Sequence, residues 1–129
     1  FHVDGNGEIT FFDFDDCAYG WFVNDIALVL FYTAMGKEDP TGFISTFLKE
    51  FLFGYYQEFD LDPIWFQQIP IFQKLRELDL YALIHRSFDV DNLEDPWCAW
   101  YMDGRAEKLV AGKPFLDFDF GGFDYESCR

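Results

Sequence analysis

The most regular hydrophobic pattern in the chain runs from residue 43 to residue 59. Apolar residues there occur in adjacent pairs that repeat every four positions, which places them on one broad face of a helix. The pattern therefore predicts an amphipathic helix whose apolar face belongs to the core. The members of this face are Phe43, Ile44, Phe47, Leu48, Phe51, Leu52, Tyr55, Tyr56 and Phe59.

Three further segments are typical of helices. Residues 22–35 are apolar on nearly every side, which predicts a central buried helix. Residues 97–110 predict a last helix, with Gly112 as its stop signal. Between them, residues 73–88 carry a second set of apolar residues at helical spacing, namely Leu75, Leu78, Tyr81, Ile84 and Phe88.

The two ends of the chain follow other patterns. In residues 1–12, β-branched and aromatic residues flank an Asp-Gly-Asn-Gly turn, which predicts a β-hairpin. Residues 13–20 form a connection into the helical part, 22–112, and residues 113–129 form an acidic aromatic tail that we expect to dock loosely or fray. The predicted class is α+β, mainly helical with an N-terminal hairpin.

Composition narrows the function classes. The 129 residues include 9 Lys and Arg against 24 Asp and Glu, so the formal charge is −15, which argues against binding to nucleic acid. Half of the residues are apolar, so we expect a folded core and not a disordered acidic chain. The longest apolar stretch, Ile26–Met35, is too short to span a bilayer, so no membrane partner is expected. No signal peptide is visible and the three cysteines form no CxxC pair, which favours a cytoplasmic protein with reduced thiols.

Candidate chemistry is concentrated at the end of the second predicted strand. Asp13, Asp15 and Asp16 follow one another closely there, and like charges at this spacing raise each other's pKa unless a cation neutralises them. Mg²⁺ takes oxygen ligands from one or two carboxylates together with phosphate, so it would suit this segment. Strand alternation points Asp13 and Asp15 to the same side. The alternative, an exposed acidic loop, remains open on these grounds.

Two motifs resemble the aminoglycoside phosphotransferase and choline kinase family, which has a protein-kinase-like fold. The first is Phe-Phe-Asp-Phe at residues 11–14, and the second is Asn-Asp-Ile-Ala at residues 24–27. The resemblance implies the C-terminal lobe of such a kinase and makes Asp13 the ligand that holds Mg²⁺ on the phosphates of ATP. It makes Asp15 either a second metal ligand or an acidic neighbour. Asp25 becomes a structural residue that braces the catalytic loop.

The resemblance also implies what this chain would lack. The family's catalytic loop, His-x-Asp followed by Asn, precedes the hairpin, and no such loop is found from Phe1 onward. We therefore expect a part of a larger phosphotransferase, cut just after its catalytic loop, with no catalytic residue of its own and no activity alone. The implied partners are the missing N-terminal lobe and a small-molecule hydroxyl acceptor such as an aminoglycoside, choline or homoserine. Apolar surface left uncovered by that lobe would favour self-association.

Two other functions compete with the kinase. One is a non-enzymatic interaction or scaffold module that uses the acidic and aromatic surface. The other is Ca²⁺ binding, because residues 4–9 resemble the centre of an EF-hand loop with His2 and Asp13 at the first and last ligand positions. The flanks of this loop resemble strands and not helices, which favours the hairpin turn.

Overall fold

Two short strands precede five α-helices in the part of the chain that the structure, a computed structural model, describes: residues 1–14, 17–37 and 40–129. The predicted α+β class, mainly helical with an N-terminal hairpin, is confirmed. Short 3₁₀ helices occur at Pro63–Gln68 and Glu126–Cys128. The other elements are β1 (His2–Val3), β2 (Ile9–Thr10), α1 (Phe22–Ala34), α2 (Pro40–Glu58), α3 (Ile69–Ser87), α4 (Pro96–Met102) and α5 (Arg105–Val110).

Helix α1 lies at the centre of the core, as its apolar sequence predicts. It packs mainly against α3 and also against α2 and the 3₁₀ helix Pro63–Gln68. Burial of apolar side chains on this scale is the main favourable contribution to folding. The fully or nearly fully buried residues of α1 are Val23, Ile26, Ala27, Leu30, Phe31 and Ala34.

Helix α2 buries one line of its predicted apolar face and leaves a second line half-buried. Ile44, Leu48 and Leu52 are completely buried against α1 and the C-terminal residues. Beside them, aromatic rings at every fourth position form a ladder whose neighbouring ring centroids lie 5.4–6.1 Å apart. This ladder comprises Phe43, Phe47, Phe51, Tyr55 and Phe59.

Helix α3 departs from its predicted pattern. Leu75 and Leu78 are 61% and 48% exposed, whereas Gln73 and Glu77 are buried. Leu75 and Leu78 therefore lie outside the core, although they share the helical spacing of the buried Ile84. The helix also begins earlier than residue 73, because Pro70 falls in its first turn, where the missing N–H costs no hydrogen bond.

An ion-pair network explains how Glu77 can be buried. The Arg105 guanidinium donates to one carboxylate oxygen of Glu77 over 2.8 Å, and the Lys74 ammonium donates to the other. The Tyr101 hydroxyl donates to the Glu77 carbonyl oxygen, and Arg105 Nε donates to the Tyr101 carbonyl oxygen, both over 3.0 Å. The network thereby fixes α3 against α4 and α5.

The single helix predicted for residues 97–110 is wrong. Gly104 has a φ of +61° and separates α4 from α5. This left-handed conformation interrupts the helix and is inexpensive for glycine alone. Gly112, the predicted stop signal, also has a positive φ, of +64°, just beyond the end of α5.

The C-terminal tail is part of the core, so the expectation that it docks loosely or frays is wrong. Phe120 is 2% exposed and Cys128 is 3% exposed. The Tyr125 ring stacks on the Phe66 ring, with the ring centroids 3.8 Å apart. The Tyr125 hydroxyl also donates to the Phe120 carbonyl oxygen over 2.8 Å. The tail therefore closes one side of the bundle formed by α1, α2 and the 3₁₀ helix.

Across the described ranges, none of the helices combines the length and the apolar character that crossing a bilayer requires.

Candidate functional site

The hairpin turn is organised by the carboxylate of Asp4. One of its oxygens accepts hydrogen bonds from the backbone N–H groups of Asn6 (2.8 Å) and Glu8 (2.9 Å). These backbone donors lower the pKa of the Asp4 carboxyl, and the N–H of Glu8 has the largest effect. Gly7, with a φ of +85°, completes the turn, and the strands pair antiparallel with His2 opposite Thr10.

This geometry favours the hairpin over the Ca²⁺ loop. The Asp4 carboxylate is engaged by backbone donors of its own turn, and strands, not helices, flank the loop. Within the described ranges, no three His, Cys, Asp or Glu side chains are grouped so that they could hold a metal ion. A metal at this end of the molecule would therefore depend on further ligands, such as the phosphates of a nucleotide.

Asp13 lies just beyond the end of β2 and has an unusual backbone. Its φ of +67° makes it the one non-glycine residue with a positive φ in the described part of the chain. Asp tolerates this left-handed conformation better than most residues, but such conformations still cost free energy and concentrate at functional sites.

The side chain of Asp13 is open to solvent and has no charged partner among the described residues. The residue is exposed, and among the described residues no Lys, Arg or His forms an ion pair with it. Its apolar neighbours Phe11, Phe12 and Phe14 are 57–68% exposed, so this end of the hairpin is not covered. Mg²⁺ can be held by one protein carboxylate when phosphate oxygens supply its other ligands. A free carboxylate such as that of Asp13 fits this role.

Asp15, the second predicted metal residue, and its neighbour Asp16 lie outside the described residues. Whether Asp15 shares a ligand site with Asp13 stays a prediction.

Asp25 lies in the first turn of α1, as the sequence predicts, but it does not cap the helix. Trp21 holds the cap position, and no side chain accepts a cap hydrogen bond there. Partial burial raises the pKa of the Asp25 carboxyl. The structure thus places a carboxylate where its charge is disfavoured, and its predicted role in bracing a catalytic loop stays a prediction.

Tyr55 is a neighbour of Asp25 that sequence reasoning missed. Burial, together with the charge of Asp25, raises the pKa of the Tyr55 hydroxyl. The two residues are brought near each other by the packing of α1 against α2. Their separation of thirty positions along the chain carries no signal that could have paired them.

No protein-family model matches the chain. It is 38% identical over 119 residues to the amicoumacin kinase of Bacillus subtilis strain 168, an alignment that covers 89% of this chain and 35% of the relative. Its fold matches that of the amicoumacin kinase hAmiN, solved in complex with AMP-PNP, Ca²⁺ and Ami, with a TM-score of 0.81 and 35% identity. That match covers 95% of this chain and 37% of the neighbour.

The matches confirm the predicted resemblance at the level of the fold. The chain is a homologue of amicoumacin kinases and shares the fold of the matching segment. It spans about a third of the length of the relatives that it matches.

Proposed function

We propose that this chain is the metal-holding part of an ATP- and Mg²⁺-dependent phosphotransferase that transfers the γ-phosphoryl group of ATP to a hydroxyl of a small molecule. One observation carries the proposal. Asp13 is exposed, has a left-handed backbone conformation and follows the hairpin, in a chain that is 38% identical to an amicoumacin kinase. A neighbour of the same fold was solved with AMP-PNP and Ca²⁺, which supports nucleotide and divalent-metal dependence.

Each predicted site residue has a role in this proposal. Asp13 holds Mg²⁺, which neutralises charge on the phosphates during transfer. Asp15 is the candidate second ligand. Asp25 braces the catalytic loop from the N-terminal end of α1. The hydroxyl-orienting carboxylate belongs to a catalytic loop on the remainder of the enzyme, so the 129-residue chain alone is inactive.

Amicoumacin is the acceptor that we propose, because both relatives are amicoumacin kinases. A net charge of −15 also favours acceptors that carry positive charge by raising their local concentration. Aminoglycosides, choline and homoserine are the acceptors against which amicoumacin is to be compared.

The proposal includes a partner and a location. The partner is an N-terminal lobe that covers the exposed aromatic end of the hairpin, and in its absence this surface promotes self-association. The location is cytoplasmic, where ATP and Mg²⁺ are available.

A chimera tests the function directly. Residues 1–129 would replace the matching segment of the Bacillus subtilis amicoumacin kinase, and phosphoryl transfer from ATP would be measured with each acceptor. We expect activity with amicoumacin, and a loss of about a hundred-fold or more in kcat for Asp13→Asn, since a charge-stabilising group is removed from the reaction. Asp91→Asn, at an exposed carboxylate in the connection between α3 and α4, is the matched control and should leave kcat unchanged.

The same experiment separates the kinase from the non-enzymatic alternative. An inactive chimera that folds and binds ATP would favour the acidic interaction module. An Asp13→Asn chimera with full activity would refute the metal assignment while leaving phosphotransfer in place. Turnover by the 129-residue chain alone would contradict the assignment of catalysis to another segment.

A further inference from the structure

The start of α1 faces the end of α2. The Phe22 ring, at the first position of α1, packs against the Phe59 ring, which directly follows α2, with the ring centroids 4.5 Å apart. The N–H of Phe59 still donates to the Tyr55 carbonyl oxygen over 2.9 Å, so the helical spacing extends to this residue. Because the two helices are consecutive in the chain and pack against each other, the ring contact means that they run antiparallel.

This register brings Asp25 opposite Tyr55. Asp25 lies three positions after Phe22, and Tyr55 lies four positions before Phe59. Residues three or four positions apart share a helix face, so one turn forward along α1 meets one turn back along α2. The electrostatics agree, because burial and, after it, the charge of Asp25 raise the pKa of the Tyr55 hydroxyl.

The ring of Tyr55 is held on two sides by the aromatic ladder of α2. It stacks on the Phe51 ring at an angle of 27° and meets the Phe59 ring nearly edge-on, at 83°, with a centroid distance of 6.1 Å in each case. A half-buried ring with two such neighbours has few orientations to lose when its hydroxyl makes a hydrogen bond. The ladder therefore keeps a hydroxyl donor at a fixed place beside the first turn of α1.

The carboxylate of Asp25 has no stabilising partner in the described part of the chain. It does not cap α1, and it forms no ion pair with a described Lys, Arg or His. Burial is the cause that raises its pKa, and no hydrogen-bond donor lowers it. Since the raised pKa of Tyr55 keeps the hydroxyl protonated, this hydroxyl can supply the strong hydrogen bond that a carboxylate accepts.

We infer that Tyr55 is a positioning residue of the kinase, whose hydroxyl donates a hydrogen bond to the Asp25 carboxylate and thereby keeps that carboxylate oriented toward the catalytic loop. The inference rests on the proposed function, in which Asp25 braces that loop. Tyr55 acts through Asp25 and takes no part in holding Mg²⁺ or in transferring the phosphoryl group.

The pairing is measured first in the 129-residue chain. With the Asp carboxyl carbons labelled with ¹³C, NMR would follow the titration of Asp25. Tyr55→Phe keeps the ring and its stacking but removes the hydroxyl, so we expect it to raise the pKa of the Asp25 carboxyl, because a donor to the ionised form is lost. Tyr56→Phe, at the adjacent half-buried tyrosine, is the matched control and should leave this pKa unchanged. An unchanged pKa in Tyr55→Phe, or equal changes in both variants, would overturn the inference.

The catalytic consequence is measured in the chimera described above. Tyr55→Phe should lower kcat roughly ten-fold, the effect of losing a hydrogen bond to a charged group. The KM for ATP should stay unchanged, because the orientation of the catalytic loop affects the transfer step and not the binding of ATP. Tyr56→Phe should keep full kcat, since the Tyr56 hydroxyl makes no hydrogen bond within the described residues.

A double substitution shows whether Tyr55 acts through Asp25. If it does, Tyr55→Phe will add no further loss of kcat to Asp25→Asn, whereas independent effects would multiply. Multiplied effects, or a Tyr55→Phe chimera with full kcat, would overturn the inference and leave the proposed phosphotransfer in place. An inactive chimera with the unaltered chain would instead refute the proposed function, and the role of Tyr55 with it.

Discussion

Asp25 illustrates at the scale of one residue how a partly buried carboxyl group can oppose stability. Partial burial raises the pKa of its carboxyl, so the folded chain favours the protonated form. The protonated carboxyl favours folding at low pH, and this contribution to stability is lost as the pH rises through the folded-state pKa. The ionised carboxylate is therefore unfavourable for folding at pH 7.

We therefore expect Asp25→Asn to increase the free energy of unfolding of the 129-residue chain at pH 7, with a smaller increase at pH 4. Urea denaturation at the two pH values measures this, with Asp91→Asn as the exposed control. In the chimera the same substitution should lower kcat, because the proposed brace of the catalytic loop is weakened. A decrease in stability at pH 7 would show that the carboxylate is a favourable part of the helix start.

Tyr101 gives a prediction at high pH. Burial raises the pKa of its hydroxyl from 10.0 to about 12, so between these values the unfolded chain loses a proton that the folded chain retains. The free energy of unfolding should thus fall above pH 10. The contribution of this residue to that fall is up to about 1.4 kcal/mol per pH unit. Tyr101→Phe should be less stable at pH 8, because the hydrogen bond to the Glu77 carbonyl is lost, but should show a shallower fall.

Denaturation curves between pH 8 and pH 11 would measure that slope. Tyr19→Phe is the control, since Tyr19 is fully exposed and its substitution should leave the slope unchanged. Identical slopes for Tyr101→Phe and the original chain would mean that the hydroxyl titrates normally in the folded state.

At the scale of elements, the break between α4 and α5 depends on one glycine. A Cβ at Gly104 would contact nothing within 4 Å, so its φ of +61° alone decides the cost of a side chain there. We expect Gly104→Ala to lower the free energy of unfolding by about 1 kcal/mol. Gly54→Ala, inside α2 and equally free of contacts, should raise it by about 0.5–1 kcal/mol. Thermal unfolding of both variants tests this, and effects of the same sign would contradict it.

Helix α3 shows where sequence periodicity stops being informative. A count of apolar residues at helical spacing selects Leu75 and Leu78 and passes over Glu77. Glu77 is buried because its charge is paired with Arg105, which lies 28 positions later on another helix. A pattern of neighbouring residues cannot indicate a partner on another helix. Burial of a carboxylate is favourable only when such a positively charged partner is present. By contrast, α1 and α2 need only apolar contacts, and both were predicted close to their observed bounds.

The candidate site was predictable to a different extent. Asp13 was identified from its position after a strand and from a motif, whereas its left-handed backbone could not be read from the residue type. The neighbourhood of Asp25 and Tyr55 arises from the packing of α1 against α2. Sequence thus indicated the chemistry of single residues, while the grouping of residues required the fold.

At the scale of the whole molecule, the C-terminal tail behaves as core. Phe120 is 2% exposed within the main apolar cluster, so Phe120→Ala should lower the free energy of unfolding by about 3–5 kcal/mol, a large share of the stability of a domain of this size. Phe53→Ala is the matched control, since that ring is 60% exposed on α2 and its loss should cost less than about 1 kcal/mol. Urea denaturation of both variants provides the measurement. If the two costs are equal, the tail does not contribute to the core, and residues 1–112 would then fold with nearly full stability when the tail is removed.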